Sequence, residues 1–175
     1  MYLISIYFDG KTENLMQSLI NKVAKATRNS YMTDGKIPPH ITVLAFESKN
    51  EDRVIELLEE NLESFKSGSL FFSSTGTFKG KVLYVEPVLN EYLHNMSAKL
   101  YDIYKDMEDV KFSPYYKPFG WIPHLSIGKH LDDGQLEDAF RVLVKHFAPM
   151  KGVVKRIGIA KTNPHRDIKV YEVHE

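Results

Sequence analysis

Two short segments of the chain carry the residue types that acid–base chemistry needs. Residues 39–43 read PHITV and residues 123–127 read PHLSI, so each is proline, histidine, an apolar residue, a hydroxyl residue and another apolar residue. Histidine can give or take a proton at pH 7, because its ordinary pKa lies near neutrality. A serine or threonine hydroxyl can donate a hydrogen bond to a charged oxygen. Each segment therefore offers one group for proton transfer and one for holding an oxyanion.

Both segments are predicted to be strands, in which successive side chains point to opposite faces. His40 and Thr42 then share one face, as do His124 and Ser126. The apolar residues next to them point the other way, into a core. Two such strands facing each other would form one site with two imidazoles and two hydroxyls.

A pair of histidines suits the cleavage of a phosphodiester beside a ribose hydroxyl, or the opening of a cyclic phosphate. Such reactions need a base for the attacking oxygen and an acid for the leaving oxygen, each typically worth roughly 10²–10⁴-fold in rate. His40 and His124 supply these roles, whereas Thr42 and Ser126 can hold the non-bridging oxygens. No metal or other cofactor is required. The assignment of acid and base stays open, because the two roles swap with the direction of reaction.

Two other interpretations of the motifs fit the sequence less well. A catalytic zinc usually has three protein ligands, and the sequence holds no His-Glu-x-x-His cluster. Ser126 as a nucleophile lacks the sharp Gly-x-Ser-x-Gly turn that exposes a catalytic serine. A single histidine in a strand is often just a half-exposed residue. The repeated prolines and apolar flanks argue against that simpler view here.

Hydrophobic periodicity predicts the elements that position the two motifs. The predicted strands are residues 2–8, 41–46, 69–78, 81–86, 122–128, 153–161 and 168–173, and the predicted helices are residues 14–28, 51–65, 91–107 and 136–147. Loops occupy residues 29–39 and 110–121, and turns are expected around Gly80 and at Asn163-Pro164.

Each half of the chain then follows the order strand, helix, motif strand, helix, strand, and the second half adds one further strand. This order predicts an α+β protein in which helices cover the outer faces of two sheets. Residues 1–175 are expected to form a single domain of two similar lobes with a groove between them.

Composition narrows the class of protein. The chain of 175 residues is 43% hydrophobic and 26% charged, which is typical of a globular protein. Its 23 basic and 23 acidic residues balance, which argues against wrapping long duplex nucleic acid but allows a small nucleotide. The absence of cysteine rules out disulfides and thiol catalysis.

Residues 1–8 lack a basic leader, and no apolar run approaches the roughly 20 residues that span a bilayer. We therefore predict a cytoplasmic monomer without a membrane partner.

Residues 39–46 and 123–129 resemble the paired His-x-[Thr/Ser] signatures of the two-histidine (2H) phosphoesterase superfamily. That superfamily includes bacterial 2′,5′-RNA ligase-like proteins, cyclic nucleotide phosphodiesterases and 2′,5′-phosphodiesterases. The resemblance covers most of the chain in motif spacing, length and order of elements. It implies a bilobal fold with two antiparallel sheets around a central cleft. Ser126 stands where many members have threonine, which keeps the hydroxyl in place.

Four further residues are candidates for binding the substrate. Lys129 follows the second motif, where the superfamily often has a basic residue, although a regular strand would turn it away from His124. The aromatic loop 110–121 could stack on a nucleobase, worth roughly 1–3 kcal/mol per base, and Tyr116 and Trp121 are its candidates. Phe46 lies in phase with His40. The simpler alternatives are a solvated lysine and rings that cover the junction of the lobes.

The sequence thus predicts a metal-independent phosphoesterase that cleaves 2′,3′-cyclic phosphates or 2′,5′ bonds in small RNA or nucleotides. RNA joining is the reverse of the second reaction. Two alternatives stay open: a nucleotide- or RNA-binding module without turnover, and a phosphodiesterase that degrades a cyclic signalling oligonucleotide. Five other histidines are predicted to be incidental, namely His94, His130, His146, His165 and His174.

Overall fold

The computed structural model describes residues 1–162 and 164–175, within which five α-helices and eight strands alternate. The helices are α1 (Gly10–Thr27), α2 (Tyr31–Asp34), α3 (Glu51–Glu60), α4 (Glu91–Tyr104) and α5 (Asp133–His146). The strands are β1 (Tyr2–Phe8), β2 (Ile41–Glu47), β3 (Gly68–Phe78), β4 (Val82–Pro87), β5 (Lys111–Phe112), β6 (Leu125–Lys129), β7 (Met150–Lys161) and β8 (Arg166–Glu172). Short 3₁₀ helices occupy Leu62–Ser64 and Pro114–Tyr116.

Side-chain caps decide where the helices begin. The Asp9 carboxylate accepts a hydrogen bond from the Thr12 amide at 3.1 Å, so α1 begins earlier than its apolar periodicity predicts. Asp132 and Gln135 form a reciprocal capping box that starts α5 early in the same way. The turn predicted around Gly80 is confirmed, since Gly80 has a φ of 66° between β3 and β4. The turn predicted at Asn163-Pro164 falls partly outside the described residues, because Asn163 is not among them.

The strands pair antiparallel in the order β5-β2-β1-β7-β3-β4-β6, with β8 also paired to β7. The predicted α+β class with antiparallel pairing is confirmed. The strands expected in two separate sheets are, however, linked into one path by β7. One edge of this 12-residue strand runs along β1, and its other edge pairs first with β3 and then with β8. The two motif strands, β2 and β6, lie on opposite sides of β7 in this order.

The buried apolar side chains join into one cluster beneath the sheet path. Helix α1 contributes a stripe of Met16, Leu19, Ile20 and Val23 to this core, at helical spacing, and packs against α5 and β6. Fully burying an aliphatic or aromatic side chain of this kind stabilises a fold by roughly 1.5–3 kcal/mol. Among the described residues, no helix is long and apolar enough to cross a membrane.

The first motif strand carries a β-bulge directly after its hydroxyl residue. Ile4 of β1 pairs with Leu44, but the next residue, Ser5, pairs with Thr42, so Val43 is the extra residue. An extra residue in one strand shifts the alternation of side chains by one position. After Val43, the side chains on the same face as Thr42 are therefore those of odd-numbered residues rather than even-numbered ones.

The second motif strand carries a bulge at the equivalent place. Tyr84 of β4 pairs with Ser126, whereas Leu83 pairs with Gly128, so Ile127 is the extra residue. The strands thus share both their motif and its irregularity. The bulges determine which side chains after each motif lie on the same face of the strand as the histidine.

Candidate active site

The four motif side chains line one cleft of about 160 Å³. His40 and Thr42 reach it from the start of β2, and His124 and Ser126 from the start of β6. Tyr116, Lys129, Thr162 and His165 add polar groups to the lining of the cleft, which also includes Met1, Leu3, Tyr31 and Ile37. The structure therefore brings together the two imidazoles and two hydroxyls that the motif predicts on one face.

The two catalytic candidates are held by the same backbone contact. Nδ1 of His40 lies 2.7 Å from the carbonyl oxygen of Pro38, and Nδ1 of His124 lies 2.9 Å from that of Ile122. A carbonyl oxygen can only accept, so Nδ1 carries the hydrogen in both rings. Nε2 is then the nitrogen left for proton exchange in each ring. A proline precedes each histidine and fixes one backbone torsion within this contact.

Burial sets the protonation state of both rings. It lowers the pKa of His40, which is only 8% exposed, to about 4. Nearby Lys129 and His165 add to this lowering of the His40 pKa, whereas the Pro38 carbonyl opposes it. Partial burial also lowers the pKa of His124, and Lys129 contributes again. Both rings are therefore neutral in the free protein at pH 7.

A tyrosine flanks each histidine from the neighbouring strand. The ring centroids of Tyr7 and His40 are 6.1 Å apart, and those of Tyr84 and His124 are 5.4 Å apart. A Cβ added at Gly76 would overlap the Tyr84 ring in its present position, so the glycine leaves room for this ring. Neither tyrosine is among the residues predicted from the sequence, although strand alternation could have placed them beside the motifs.

The two hydroxyls have different surroundings. The Thr42 Oγ1 lies 3.3 Å from the Oγ of Ser5, a fully buried residue of β1. The Ser126 hydroxyl has no hydrogen-bond partner within the described part of the chain. Both hydroxyl residues are less than 10% exposed, at 6% and 7%. The Ser126 hydroxyl is consequently available to an oxygen of a ligand.

Lys129 lies in the cleft, contrary to the orientation that regular strand parity predicts. The bulge at Ile127 reverses the alternation, so Lys129 joins the face of Ser126 while Gly128 turns to the core. Burial lowers the pKa of its amine. No carboxylate of residues 1–162 or 164–175 forms an ion pair with Lys129. A partly buried ammonium without a partner is suited to receive an anion.

The same reversal removes Phe46 from the cleft, so its predicted place beside His40 is wrong. Beyond Val43, Phe46 faces the core, where its ring is fully buried 4.7 Å from that of Tyr104. Trp121 is also in the core, at 4% exposure, rather than among the cleft residues. Neither ring offers a free face to a nucleobase.

Tyr116 is the one ring of the predicted stacking residues that reaches the cleft. It lines the cleft from the 3₁₀ helix Pro114–Tyr116, with its ring centroid 6.4 Å from that of His124. Burial raises the pKa of its hydroxyl, which also interacts with the Thr42 side chain. Tyr116 can therefore contact a ligand that sits between the two motifs.

His165 is a cleft residue that the two motifs do not predict. It is expected from the sequence to be incidental, yet it lines the cleft and stacks on His40 at a centroid distance of 5.4 Å. A signal was present in the sequence: Pro-His occurs three times, and the third copy, Pro164-His165, has Asp167 where the motifs have a hydroxyl. All three histidines that follow a proline meet in this cleft.

Comparisons with known proteins give one family and one fold. A model of the 2′-5′ RNA ligase superfamily matches residues 15–166. The structure of E. coli LigT complexed with 3′-AMP is 11% identical and has a TM-score of 0.64, with 98% of this chain and 97% of LigT covered. LigT complexed with NADP+ gives 11% identity, a TM-score of 0.62 and coverages of 99% and 97%.

A structure described as a phosphoesterase is 10% identical, with a TM-score of 0.59 and coverages of 99% and 98%. At these identities the likeness shows a shared fold. The search of curated proteins finds no match. Among the described residues, no group of three or more His, Cys, Asp or Glu side chains could hold a metal ion.

Proposed function

Because the chain belongs to the 2′-5′ RNA ligase superfamily, we propose that it is a metal-independent phosphoesterase acting on small nucleotides or short RNA. Its reactions are hydrolysis of 2′,3′-cyclic phosphates and cleavage of 2′,5′-phosphodiester bonds. The observation that carries this proposal is the pair of imidazoles in one cleft, each with Nδ1 tied to a backbone carbonyl and Nε2 left for the substrate. The fold is shared with LigT structures that hold 3′-AMP and NADP+.

The proposed reaction places the phosphorus between His40 and His124. One Nε2 takes the proton from the attacking oxygen, a water for a cyclic phosphate or the neighbouring 3′-hydroxyl for a 2′,5′ bond. The other Nε2 gives a proton to the leaving ribose oxygen, so that the two rings exchange charge states during each cleavage. Hydrogen bonds from Thr42 and Ser126, and the charge of Lys129, stabilise the non-bridging oxygens as negative charge builds on them.

The depressed pKa values of the two histidines predict an acidic pH optimum. Cleavage needs one ring neutral and the other protonated, and both pKa values lie below the ordinary 6.5. The value of kcat/KM should therefore peak below pH 6.5 and fall about tenfold per pH unit above the higher apparent pKa of the pair. Initial rates on a 2′,3′-cyclic nucleotide at constant ionic strength measure this profile. A maximum above pH 7.5 would contradict the acid–base assignment.

Lys129→Met should weaken the handling of the phosphate. The substitution keeps much of the side-chain volume and removes the charge, so kcat/KM should fall roughly 10- to 100-fold, the usual size of a lost charged hydrogen bond. The free energy of unfolding should not decrease, because the lost amine has no anionic partner in the described structure. Lys81→Met, at an exposed position of the β3–β4 hairpin, is the matched control and should leave kcat/KM unchanged.

A panel of substrates tests the proposed function. The protein, treated with EDTA, is incubated with 2′,3′-cyclic nucleotides, 2′,5′-oligoadenylates and cyclic dinucleotides, and binding is measured in parallel by calorimetry. Turnover of either of the first two classes is the expected result. Turnover of cyclic dinucleotides alone would favour degradation of a signalling nucleotide. Binding without turnover of any class would favour a binding module, and activity lost with EDTA would contradict a metal-independent reaction.

A further inference from the structure

His165, the third histidine of the cleft, packs against His40. The rings of His165 and His40 are 5.4 Å apart between centroids and inclined by only 24°, so the two imidazoles are stacked. The His165 side chain is 10% exposed and lines the cleft. His165 therefore covers one face of the His40 ring at the point where His40 meets the cleft.

Asp167 holds His165 in this position. Its Oδ1 lies 3.1 Å from Nε2 of His165 and accepts a second hydrogen bond from the Tyr7 hydroxyl at 2.9 Å. The Tyr7 ring in turn lies beside His40 and under the Arg156 guanidinium, which is 5.8 Å from its centroid. A carboxylate can only accept a hydrogen bond, so Nε2 of His165 carries the hydrogen and donates it to Asp167. This hydrogen bond fixes the orientation of the His165 ring.

The charges around His40 are arranged asymmetrically. The titratable and charged groups that face it are Tyr7 from β1, Lys129 from β6, and His165 and Asp167 at the start of β8, with Tyr116 and His124 across the cleft. Electrostatic interactions with Lys129 and with His165 both lower the pKa of His40, and that with Asp167 raises it. Within residues 1–162 and 164–175, the aromatic rings paired with His124 are those of Phe78, Tyr84 and Tyr116, and none of them is a histidine.

We propose that His165 is a positioning residue for His40, which covers one face of the His40 ring, fixes its plane and favours its role as the proton acceptor. In the cleavage direction His40 is then the base and His124 the acid. The roles of base and acid rest on the proposed function, whereas the effect of His165 on the His40 ring does not.

The test follows the His40 ring itself by NMR, using the pH titration of its Cε1–H signal in the wild type, His165→Phe and His165→Gln. Phenylalanine keeps a stacked ring without charge, and glutamine keeps an amide donor to Asp167 without a ring. In both variants the His40 midpoint should move upward by roughly half a unit or more, because a like charge is lost. His174→Gln, at an exposed position, is the matched control and should leave the midpoint unchanged. An unchanged His40 midpoint in both His165 variants would overturn the proposal.

The pH dependence of kcat/KM is a second measurement, and a purely structural role of His165 would leave it unchanged. The acidic limb of the kcat/KM profile should shift to higher pH in both variants. The kcat should fall about tenfold in His165→Gln and less in His165→Phe, which retains the stacked ring, with KM nearly unchanged. If the wild type turns over no substrate but the NMR midpoint shifts, the proposed function fails and the positioning role stands. If the wild type turns over substrate but neither the midpoint nor the acidic limb moves, the positioning role fails and the proposed function stands.

Discussion

His40→Ala and His124→Ala should each lower the kcat for a 2′,3′-cyclic nucleotide by about 10²–10⁴-fold. Each substitution removes an imidazole whose Nε2 is free to take or give one of the two protons, because Nδ1 in each ring is bonded to a backbone carbonyl. The double variant should be little slower than the slower single variant, because both rings serve one proton-transfer cycle. Product formation by chromatography, with purified variants at saturating substrate, measures the loss.

Stability distinguishes a chemical loss from an unfolded protein. His40→Ala removes a buried ring and should lower the thermal unfolding midpoint modestly while the protein stays folded. His124 is only partly buried, so the midpoint of His124→Ala should stay nearer that of the wild type. His174→Ala is the matched control, since His174 is exposed and should lose neither activity nor stability. Full activity in either catalytic variant, at normal stability, would contradict the acid–base pair.

Thr42→Val and Ser126→Ala should each lower kcat by about 10²–10³-fold, the usual cost of removing one donor to a developing oxyanion. Both hydroxyls are buried beside the cleft, where water cannot readily replace them. The effect should fall on kcat more than on KM, because the charge on the phosphate oxygens grows towards the transition state. Steady-state kinetics of the two variants separate these parameters.

Conservative exchanges supply the controls for the hydroxyls. Thr42→Ser and Ser126→Thr keep the donor and should retain most of kcat. Thr42→Val should also reduce stability by about 1–3 kcal/mol, because it leaves the fully buried Ser5 hydroxyl without its partner at 3.3 Å. A change confined to KM in Thr42→Val and Ser126→Ala would show that the hydroxyls bind the ground state rather than the transition state.

Regular strand alternation correctly predicts the orientation of side chains up to Thr42 and Ser126. It fails for the residues that follow, because each strand has a β-bulge there. From His40 to Thr42, and from His124 to Ser126, the alternation is regular, so the motif pairs share one cleft. The bulge that follows each pair reverses the alternation. The residue types at Val43 and Ile127 predict a regular strand, because valine and isoleucine are enriched in strands.

Two of the predicted substrate contacts lie on the opposite face of their strands because of these bulges. Lys129, expected to face away from His124, enters the cleft, and Phe46, expected beside His40, enters the core. His165 escapes prediction for another reason. Its stacking partner His40 lies 125 residues earlier in the chain, directly before β2, and the pairing of β8 with β7, of β7 with β1 and of β1 with β2 brings the two rings together.

The order of elements is readable from periodicity, whereas the linkage of the sheet is not. Alternation predicts β7 as one more closing strand, but its pairing with three neighbours depends on its length and on partners distant in sequence. That central strand determines how the two motif strands meet across a cleft. The local sequence pattern therefore specifies which groups each motif strand presents to the cleft. The long-range strand pairing specifies how the two motif strands are placed relative to each other.

Phosphorus NMR of one reaction tests the central claim most directly. The EDTA-treated wild type and His124→Ala are each incubated with a 2′,3′-cyclic nucleotide at mildly acidic pH, and the phosphorus signal is followed over time. We predict that the wild type converts the cyclic phosphate signal to that of a single monoester, and that His124→Ala leaves it unchanged on the same time scale. Equal conversion by both proteins, or conversion that requires an added metal, would contradict two-histidine catalysis in this cleft.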